Sequence, residues 1–342
     1  MRPLRYLLSG LCSCCLLVAC GDSSGDSGKP MEITATVDLS QHGILYALLA
    51  DGDHCYIGTT EGELLIYDIG DETAPSRVGI YEHASGSALT GLCKEGDLVY
   101  ATFRTGILAV IDVSNPAAPT LRGSDEPQGA SGWEPVKDGD RVFWVGGGSP
   151  NGAYLQVTEV GNPDAPQHVS TFCAADQTQD SDAIAKDGDH VYMGDLRGDF
   201  YAVDVSDPAA PHLDGSLTFT YMRGVDDAEI HGSHVFFAKR LDGLFVIDVS
   251  NPAEPSQVGT FALSDGWAAD SQYDGEHLYV AYGDAGLVRV DVSDPSNPVQ
   301  VGAALRPDGD FQLERVSLTG DLACLLDTGL SSTHRLMVAR IK

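Results

Sequence analysis

The chain has 342 residues, with 50 acidic against 20 basic side chains and a formal charge of −30 at pH 7. A field of this sign repels nucleic acid and anionic lipid, so the composition excludes a nucleic-acid-binding protein and an electrostatic binder of membrane surfaces. The acids are spread through the turns, which favours solubility; binding of Ca²⁺ or of a cationic ligand is the functional alternative.

The first 19 residues form a predicted signal peptide. Arg2 and Arg5 precede an apolar run over residues 6–18, which is too short to span a bilayer as a stable helix. The run ends in the letters LVAC at residues 17–20, which resemble the lipobox of bacterial lipoproteins. The resemblance implies cleavage before Cys20, lipid on its thiol and an anchor in the bacterial cell envelope, where Gly21 favours the outer membrane. Cleavage of an ordinary secretory signal nearby is the alternative.

Residues 20–30 read CGDSSGDSGKP and contain no large apolar side chain. Segments rich in Gly, Ser and Asp behave as flexible linkers, because they cannot bury enough apolar surface to fold. We therefore expect three parts: a signal peptide over 1–19, a lipidated cysteine with its linker over 20–30, and a folded domain over 31–342.

A 12-residue segment, in which an acid ends an apolar strand and a proline turn follows, occurs six times. Its copies lie at residues 64–75, 108–119, 155–166, 200–211, 244–255 and 287–298. The strand-ending acids are 43 to 47 residues apart: Asp68, Asp112, Glu159, Asp204, Asp248 and Asp291. A period of about 40–50 residues is typical of propellers and solenoids.

A hairpin glycine marks every unit, including a seventh. It occurs at Gly52, Gly96, Gly139, Gly188, Gly232, Gly275 and Gly320. Each unit therefore predicts four short antiparallel strands joined by tight turns. The long strands, such as LFVI at residues 244–247, are apolar on both faces, and a ring of sandwiched sheets covers both faces. The sequence predicts an all-β protein, a seven-bladed β-propeller of four-stranded blades.

The seventh unit ends with the chain before its last strand is complete. It runs from about residue 311 to residue 342 and lacks the proline turn and the fourth strand. Residues 31–39, MEITATVDL, have the pattern of that missing strand. We expect the N-terminal strand to complete the last blade and close the ring.

Residues 106–123, 243–259 and 286–302 resemble the LVIVD repeat of bacterial secreted and surface β-propellers. The resemblance covers essentially the whole mature chain. It implies the propeller fold and says little about function, because the repeated residues build the blade. Three copies depart from the pattern: Glu72 replaces a proline, Glu159 replaces the aspartate, and Arg340 stands at the acid position of the last copy.

The repeated acids and histidines are predicted to be structural. One acid per blade forms a wide ring whose members lie too far apart to share an ion, whereas each carboxylate can accept amide hydrogen bonds from its own turn. The histidines two residues after the hairpin glycine are repeat positions as well: His54, His190, His234 and His277. A metal site needs three or four converging ligands instead.

The candidate ligand site lies where the first strand of each blade approaches the central axis. The position six residues before the hairpin glycine holds Tyr46, Thr90, Trp133, Asp182, Asp226, Ala269 and Glu314. Close neighbours are Arg223, Asp227, Trp267, Asp270 and Arg315. These residues vary while the framework repeats, which is typical of function added to a repeated scaffold. We predict that the acids hold Ca²⁺ or a cationic group and that the tryptophans make apolar contacts; a solvated channel mouth is the alternative.

Four cysteines lie outside the signal peptide and lipobox: Cys55, Cys93, Cys173 and Cys324. Their spacing fits no zinc or redox motif. An exported protein meets an oxidising compartment, where disulfides form. Cys55 and Cys93 belong to neighbouring repeats and are the predicted pair, with buried free thiols as the alternative.

The sequence has no serine triad, kinase motifs, zinc motif or cofactor fingerprint. We therefore expect a non-enzymatic binding or scaffolding lipoprotein for a protein, a glycan or a small ligand. One alternative is a hydrolase or lyase with an acidic, Ca²⁺-dependent site on the axis, and another is a purely structural envelope component. A closed ring exposes no large apolar face, so we expect a monomer.

Overall fold

The computed structural model describes residues 30–127, 131–148, 152–174, 180–219, 224–328 and 333–342. Within these residues the chain forms 28 β-strands and one 3₁₀ turn, Ser40–His42. The strands make seven four-stranded antiparallel sheets, which are the blades of the predicted seven-bladed propeller. In the described part of the chain, no helix has the length and apolar character needed to cross a membrane.

The first strand, β1 (Glu32–Asp38), belongs to the last blade, and blade 1 begins with β2. Blades 1 to 3 consist of β2 (Leu45–Asp51), β3 (His54–Thr59), β4 (Glu63–Asp68), β5 (Ser76–Glu82), β6 (Leu89–Glu95), β7 (Leu98–Phe103), β8 (Ile107–Asp112), β9 (Thr120–Asp125), β10 (Pro135–Asp138), β11 (Arg141–Gly148), β12 (Gly152–Glu159) and β13 (Gln167–Cys173). Blades 4 to 6 consist of β14 (Ser181–Asp187), β15 (His190–Asp195), β16 (Phe200–Asp204), β17 (His212–Leu217), β18 (Asp227–His231), β19 (His234–Ala238), β20 (Leu244–Asp248), β21 (Ser256–Phe261), β22 (Asp270–Tyr273), β23 (Leu278–Ala281), β24 (Leu287–Asp291) and β25 (Val299–Gln300).

Blade 7 joins both ends of the chain, as the sequence predicts. It consists of β26 (Leu313–Thr319), β27 (Leu322–Asp327), β28 (Arg335–Arg340) and, as the outermost strand, β1. β1 runs antiparallel to β28 with Thr36 opposite Met337. The ring is therefore closed by a backbone hydrogen-bond ladder between strands that lie about 300 residues apart in sequence.

The seven hairpin glycines have the conformation that their turns require. Their φ angles lie between 52° and 98°, a region that residues with a Cβ avoid. A Cβ at Gly52 or at Gly96 would meet no atom within 4 Å, so backbone conformation rather than space explains the glycine.

A second set of glycines, on the outer strands, lets neighbouring blades approach each other. A Cβ on Gly79 would stand 1.8 Å from the carbonyl oxygen of Pro116, which lies in the proline turn of the next blade. The same contact recurs between Gly259 and Pro295, at 2.1 Å. The glycine and the proline turn of the repeat therefore form one interface between adjacent blades.

The strand-ending acids bond to their own turns, as predicted. Asp112 Oδ1 accepts hydrogen bonds from the backbone N–H of Ser114 at 3.0 Å and from its hydroxyl at 2.6 Å. These hydrogen bonds hold the pKa of Asp112 below its usual value. Asp68, Asp204, Asp248 and Asp291 accept the equivalent amide at 2.8–2.9 Å.

The predicted pairing of Cys55 with Cys93 is wrong in this structure, where both are free thiols. Cys55 is fully buried and shares an apolar cluster between blades 1 and 7 with Cys324, whose thiol is its hydrogen-bond neighbour. Cys93 packs in a different cluster, between blades 2 and 3. Successive side chains of a strand point to opposite faces of the sheet, and this explains the error. Cys55 lies on the face of blade 1 that packs against blade 7, whereas Cys93 lies on the face of blade 2 that packs against blade 3.

Candidate functional site

The inner strands surround a cavity of about 170 Å³ on the axis, called here the axial cavity. Its lining residues are Ile44, Leu45, Tyr46, Trp133, Glu134, Asp182, Asp226, Arg240, Glu314, Arg315 and Thr328. The structure therefore brings together Trp133, Asp182, Asp226, Glu314 and Arg315, which the sequence predicts as site residues on four different segments of the chain.

A β-bulge accounts for the position of several of these side chains. The pairing of the first two strands of a blade skips one residue at Tyr46, Thr90, Asp182 and Glu314, all of which occupy the aligned position. A bulged residue has no partner in the ladder, and the bulge re-aims its side chain. In blade 5 the same position, Asp226, lies just before the inner strand begins. Thr90 has a structural contact instead, since its buried hydroxyl donates to the carbonyl oxygen of Gly132 at 2.7 Å.

One wall of the axial cavity is aromatic. Trp133 and Tyr46 contact each other edge to face, with ring centroids 6.1 Å apart. The Arg104 guanidinium lies 5.1 Å from the centre of the Trp133 ring, and its Nη1 donates to the Tyr46 hydroxyl at 3.3 Å. The Trp133 ring is thus held in place and already attracts one cation.

Arg315 and Glu134 separate the axial cavity from a second cavity of about 260 Å³ further along the inner strands, since both residues line both cavities. Arg315 Nε donates to the carbonyl oxygen of Tyr46 at 2.9 Å, and Nη1 donates to that of Glu314 at 3.1 Å. Burial opposes the charge of Arg315, but the surrounding acids, Asp270 first, keep its pKa above the usual value. Burial also raises the pKa of Glu134 to about 8, although Arg315 acts in the opposite direction.

Asp182 is a buried acid of the axial cavity with an incomplete set of hydrogen bonds. Burial, reinforced by the Asp226 carboxylate, raises its pKa to about 7. Its Oδ1 atom is buried and has no hydrogen-bond partner among the described residues, and the same holds for the indole Nε1 of Trp133. Asp226 Oδ2 also lacks a hydrogen bond among the described residues, so the lining of the axial cavity contains one donor and two acceptors whose hydrogen-bonding capacity is unused.

Arg240 stands at the rim of the axial cavity in a strained backbone conformation. Its φ of 40° is the one positive value among the described residues other than glycine. Arg240 Nε contacts the buried Asp226 carboxylate at 3.0 Å to Oδ1 and 2.9 Å to Oδ2. Burial raises the pKa of Asp226, and Arg240 offsets part of that rise. A strained residue that holds a buried acid at a cavity marks this rim as a functional candidate.

Two of the predicted acids have structural contacts instead of facing the axial cavity. Asp227 Oδ2 accepts from the backbone N–H of Ser271 at 2.9 Å and from its hydroxyl at 2.7 Å. Asp270 Oδ2 accepts from the backbone N–H of Val316 at 2.8 Å. Each acid therefore accepts an otherwise unpaired backbone N–H from the first strand of the next blade. Both acids line the second cavity.

Trp267 does not line the axial cavity, but its indole is close enough to the Glu314 carboxylate to offset part of the rise in pKa that burial causes there. The Trp267 ring packs against Gly283, where a Cβ would lie 2.9 Å from its Cδ2 atom. Arg223 lies outside the described residues. Over the described ranges, no three His, Cys, Asp or Glu side chains are grouped so that they could hold a metal ion.

Sequence reasoning missed Glu134 and Arg240. Glu134 occupies the repeat position after the aligned one, where Asp227, Asp270 and Arg315 also stand. The charged residues at this second position in other blades could have predicted Glu134 as a site residue. Arg240 follows β19 and has no equivalent in the first strands, so alignment of the inner strands alone does not find it.

Comparison with known proteins defines the class. A family model described as LVIVD repeat matches residues 47–83, 94–125, 179–218, 223–262 and 265–305, more than half of the chain. The chain belongs to the LVIVD repeat family. The matches cover the repeats of blades 1, 2, 4, 5 and 6; they omit blade 3, which has Glu159 in place of the aspartate, and blade 7, which is formed by the two ends of the chain.

Solved structures agree on the architecture. The chain resembles the crystal structure of the β-propeller domain of Cps50 (Swd1) from Myceliophteria thermophila, with a TM-score of 0.70 and 12% sequence identity. The likeness covers 92% of this chain and 100% of that chain, and at this identity it shows the shared fold alone. None of the curated proteins compared with the chain matches it.

Proposed function

We propose that this LVIVD propeller is a binding module that takes its ligand in the axial cavity and is held at the cell envelope by lipid on Cys20. The observation that carries the proposal is that the lining of one cavity contains three buried polar atoms without a hydrogen bond from any described residue: Asp182 Oδ1, Asp226 Oδ2 and Trp133 Nε1. Burying a polar group without a partner costs about 1–3 kcal/mol. Such atoms also occur elsewhere in the propeller, but here they gather in the lining of one cavity, where a ligand that bonds to them recovers that cost.

The binding proposal is tested by thermal unfolding of the purified full chain with compounds of different chemistry. EDTA followed by millimolar Ca²⁺, monosaccharides, small amines and short peptides form the panel. A ligand that binds the native state raises the unfolding midpoint by mass action. The proposal requires a compound whose effect is lost in both Asp182→Asn and Trp133→Phe. If every shift survives both substitutions, the axial cavity is not the binding site.

The lipid anchor is supported by the sequence of residues 17–20, which lie outside the described part of the chain. A single acyl chain gives weak, reversible membrane binding, and stable anchoring needs more than one chain. We therefore expect metabolic labelling with palmitate to mark the wild-type chain and not Cys20→Ala, and we expect that variant to leave the membrane fraction. Equal labelling of Cys20→Ala would overturn the anchor.

A hydrolase or lyase is the second candidate, because one observation favours it. The pKa values of Glu134 and Asp182, about 8 and about 7, suit acid–base chemistry near neutral pH, and Arg315 lies beside them. Turnover of a chromogenic glycoside or ester by the wild type, lost in Glu134→Gln with ligand binding retained, would establish this candidate. Absence of turnover with a ligand that binds would leave the binding module.

A further inference from the structure

We propose that the ligand of the axial cavity is a compact organic cation that also carries a hydrogen-bond acceptor, an ammonium or guanidinium group next to an amide, hydroxyl or carboxylate. Its charge lies between Asp182 and Asp226, and its acceptor takes the indole N–H of Trp133. This inference rests on the proposed binding function and specifies its ligand class.

The size of the axial cavity limits the ligand to one functional group and a short skeleton. Pockets for drug-sized ligands measure about 300–1,000 Å³. The axial cavity has about 170 Å³, and Arg315 and Glu134, which line both cavities, lie between it and the second cavity. A ligand the size of one lysine or arginine side chain fits this space, whereas an oligosaccharide does not.

The charges in the axial cavity select a cation. Four acids line it against two arginines: Glu134, Asp182, Asp226, Glu314, Arg240 and Arg315. Two N–H groups of Arg315 are occupied by backbone carbonyls, and Arg240 pairs with Asp226 from the rim. Asp182 Oδ1 and Asp226 Oδ2 receive no hydrogen bond from any residue that the structure describes. A positively charged donor at either oxygen gains a charge-assisted hydrogen bond, about twice as strong as a neutral one.

The Trp133 indole adds the second requirement. Its Nε1 can only donate, is buried and has no partner among the described residues. A metal ion or a simple alkylammonium has no acceptor for this N–H, so either would leave it unsatisfied. A molecule with both functions satisfies Asp182 and Trp133 together, while its carbon skeleton contacts the Trp133 and Tyr46 rings.

Binding of such a cation is linked to pH. Asp182 is faced by Asp226 and Glu134 from the neighbouring blades, by Asp180 from its own segment, by Arg240 from the rim and by Arg315 from the inner end of the axial cavity, which Glu314 of blade 7 also lines. The cation favours the ionised carboxyls, whose pKa values lie at about 7 for Asp182 and about 8 for Glu134. Affinity should therefore rise between pH 6 and pH 8, and binding near pH 7 should release protons.

The test is isothermal titration of the full chain at 150 mM NaCl with matched probes. Nα-acetyl-lysine amide and Nα-acetyl-arginine amide carry both functions, n-butylamine lacks the acceptor, and Nα-acetyl-norleucine amide lacks the charge. A tripeptide, acetyl-Gly-Lys-Gly-amide, distinguishes a peptide side chain from a free small molecule as the source of the cation. We expect the two-function probes to bind at least about tenfold more tightly than either single-function probe, which is one charge-assisted hydrogen bond.

The variants distinguish binding at a specific site from nonspecific attraction of cations to a protein of charge −30. Asp182→Asn should weaken the two-function probes about tenfold or more, and Trp133→Phe should reduce them to the affinity of n-butylamine. Asp187→Asn is the matched control, because Asp187 is exposed on the same strand, β14, and its loss should change nothing.

The outcomes distinguish the ligand class from the binding function itself. Equal binding of the neutral probe, or equal binding to Asp182→Asn, overturns the cation. If the cationic probes do not bind while a sugar or Ca²⁺ stabilises the wild type and not Asp182→Asn, the proposed binding function is kept and the cationic ligand class is rejected. If no probe is sensitive to Asp182→Asn or Trp133→Phe, both proposals fall.

Discussion

Arg340 and Glu72 form an ion pair across the point where the ring closes. Both residues depart from the repeat: Arg340 stands where other blades have the strand-ending acid, and Glu72 stands where other turns have a proline. Beside them, the Thr34 hydroxyl donates to the carbonyl oxygen of Glu72 at 2.9 Å. Two exceptions to the pattern therefore contact each other and form an interface of their own between blade 7 and blade 1.

The charges of this pair can be exchanged. Arg340→Glu places two acids together and should lower the free energy of unfolding by up to about 1 kcal/mol, because Arg340 is half exposed and water screens the pair. The double variant Glu72→Arg with Arg340→Glu should regain most of the loss in urea unfolding. A double variant no more stable than Arg340→Glu would show that the pair does not stabilise the seam.

Gly79 should tolerate no side chain. Gly79→Ala brings a Cβ against the Pro116 carbonyl oxygen, and crowding of this kind costs about 1–3 kcal/mol. Ala35 is opposite Val338 at the seam, in the register that Gly79 has opposite Ile66, so Ala35→Gly is the matched control. We expect the control to cost about 1 kcal/mol or less by chemical unfolding. Equal costs for the two variants would contradict the close contact between blades.

Arg240 should be coupled to Asp226. Arg240→Asn keeps a residue that accepts positive φ but leaves the buried Asp226 carboxylate without its partner, at a cost of about 1–3 kcal/mol. In an Asp226→Asn background the same substitution should cost less than about 0.5 kcal/mol, because no charge is left uncompensated. Thermal or chemical unfolding of the four proteins measures the difference. The same cost in both backgrounds would mean that the contact contributes nothing.

The axial carboxyls should make stability fall as pH rises. The folded pKa of Glu134, about 8, lies above the unfolded value near 4.3, so the folded chain holds the extra proton between these limits. Its contribution is complete below about pH 4 and is lost as the pH passes 8. Glu134→Gln should therefore reduce the pH dependence of the unfolding free energy between pH 5 and pH 7 by up to about 1.4 kcal/mol per pH unit. An unchanged slope would refute the raised pKa.

The repeat made the fold accessible from sequence. Spacing, the hairpin glycines and the pattern of residues 31–39 predict the seven blades and their closure, because each signal is local and recurs. The axial site was predicted in part, since aligned positions such as Asp182 and Glu314 do meet in the axial cavity. Roles that depend on contacts between separate strands were not accessible: Asp227 bonds to Ser271 of the next blade, and Arg240 reaches Asp226 from the segment after β19 of the same blade.

The bulge on the inner strands keeps the aligned axial positions out of the regular strand ladder. A residue in the regular ladder constrains its cross-strand neighbour, so changing it disturbs the sheet. Tyr46, Asp182 and Glu314 have no such neighbour, and their identities can change without altering strand register. The propeller thus offers a set of positions around one axis whose side chains can be exchanged singly while the blades stay the same, so the proposed ligand preference could change without a change of fold.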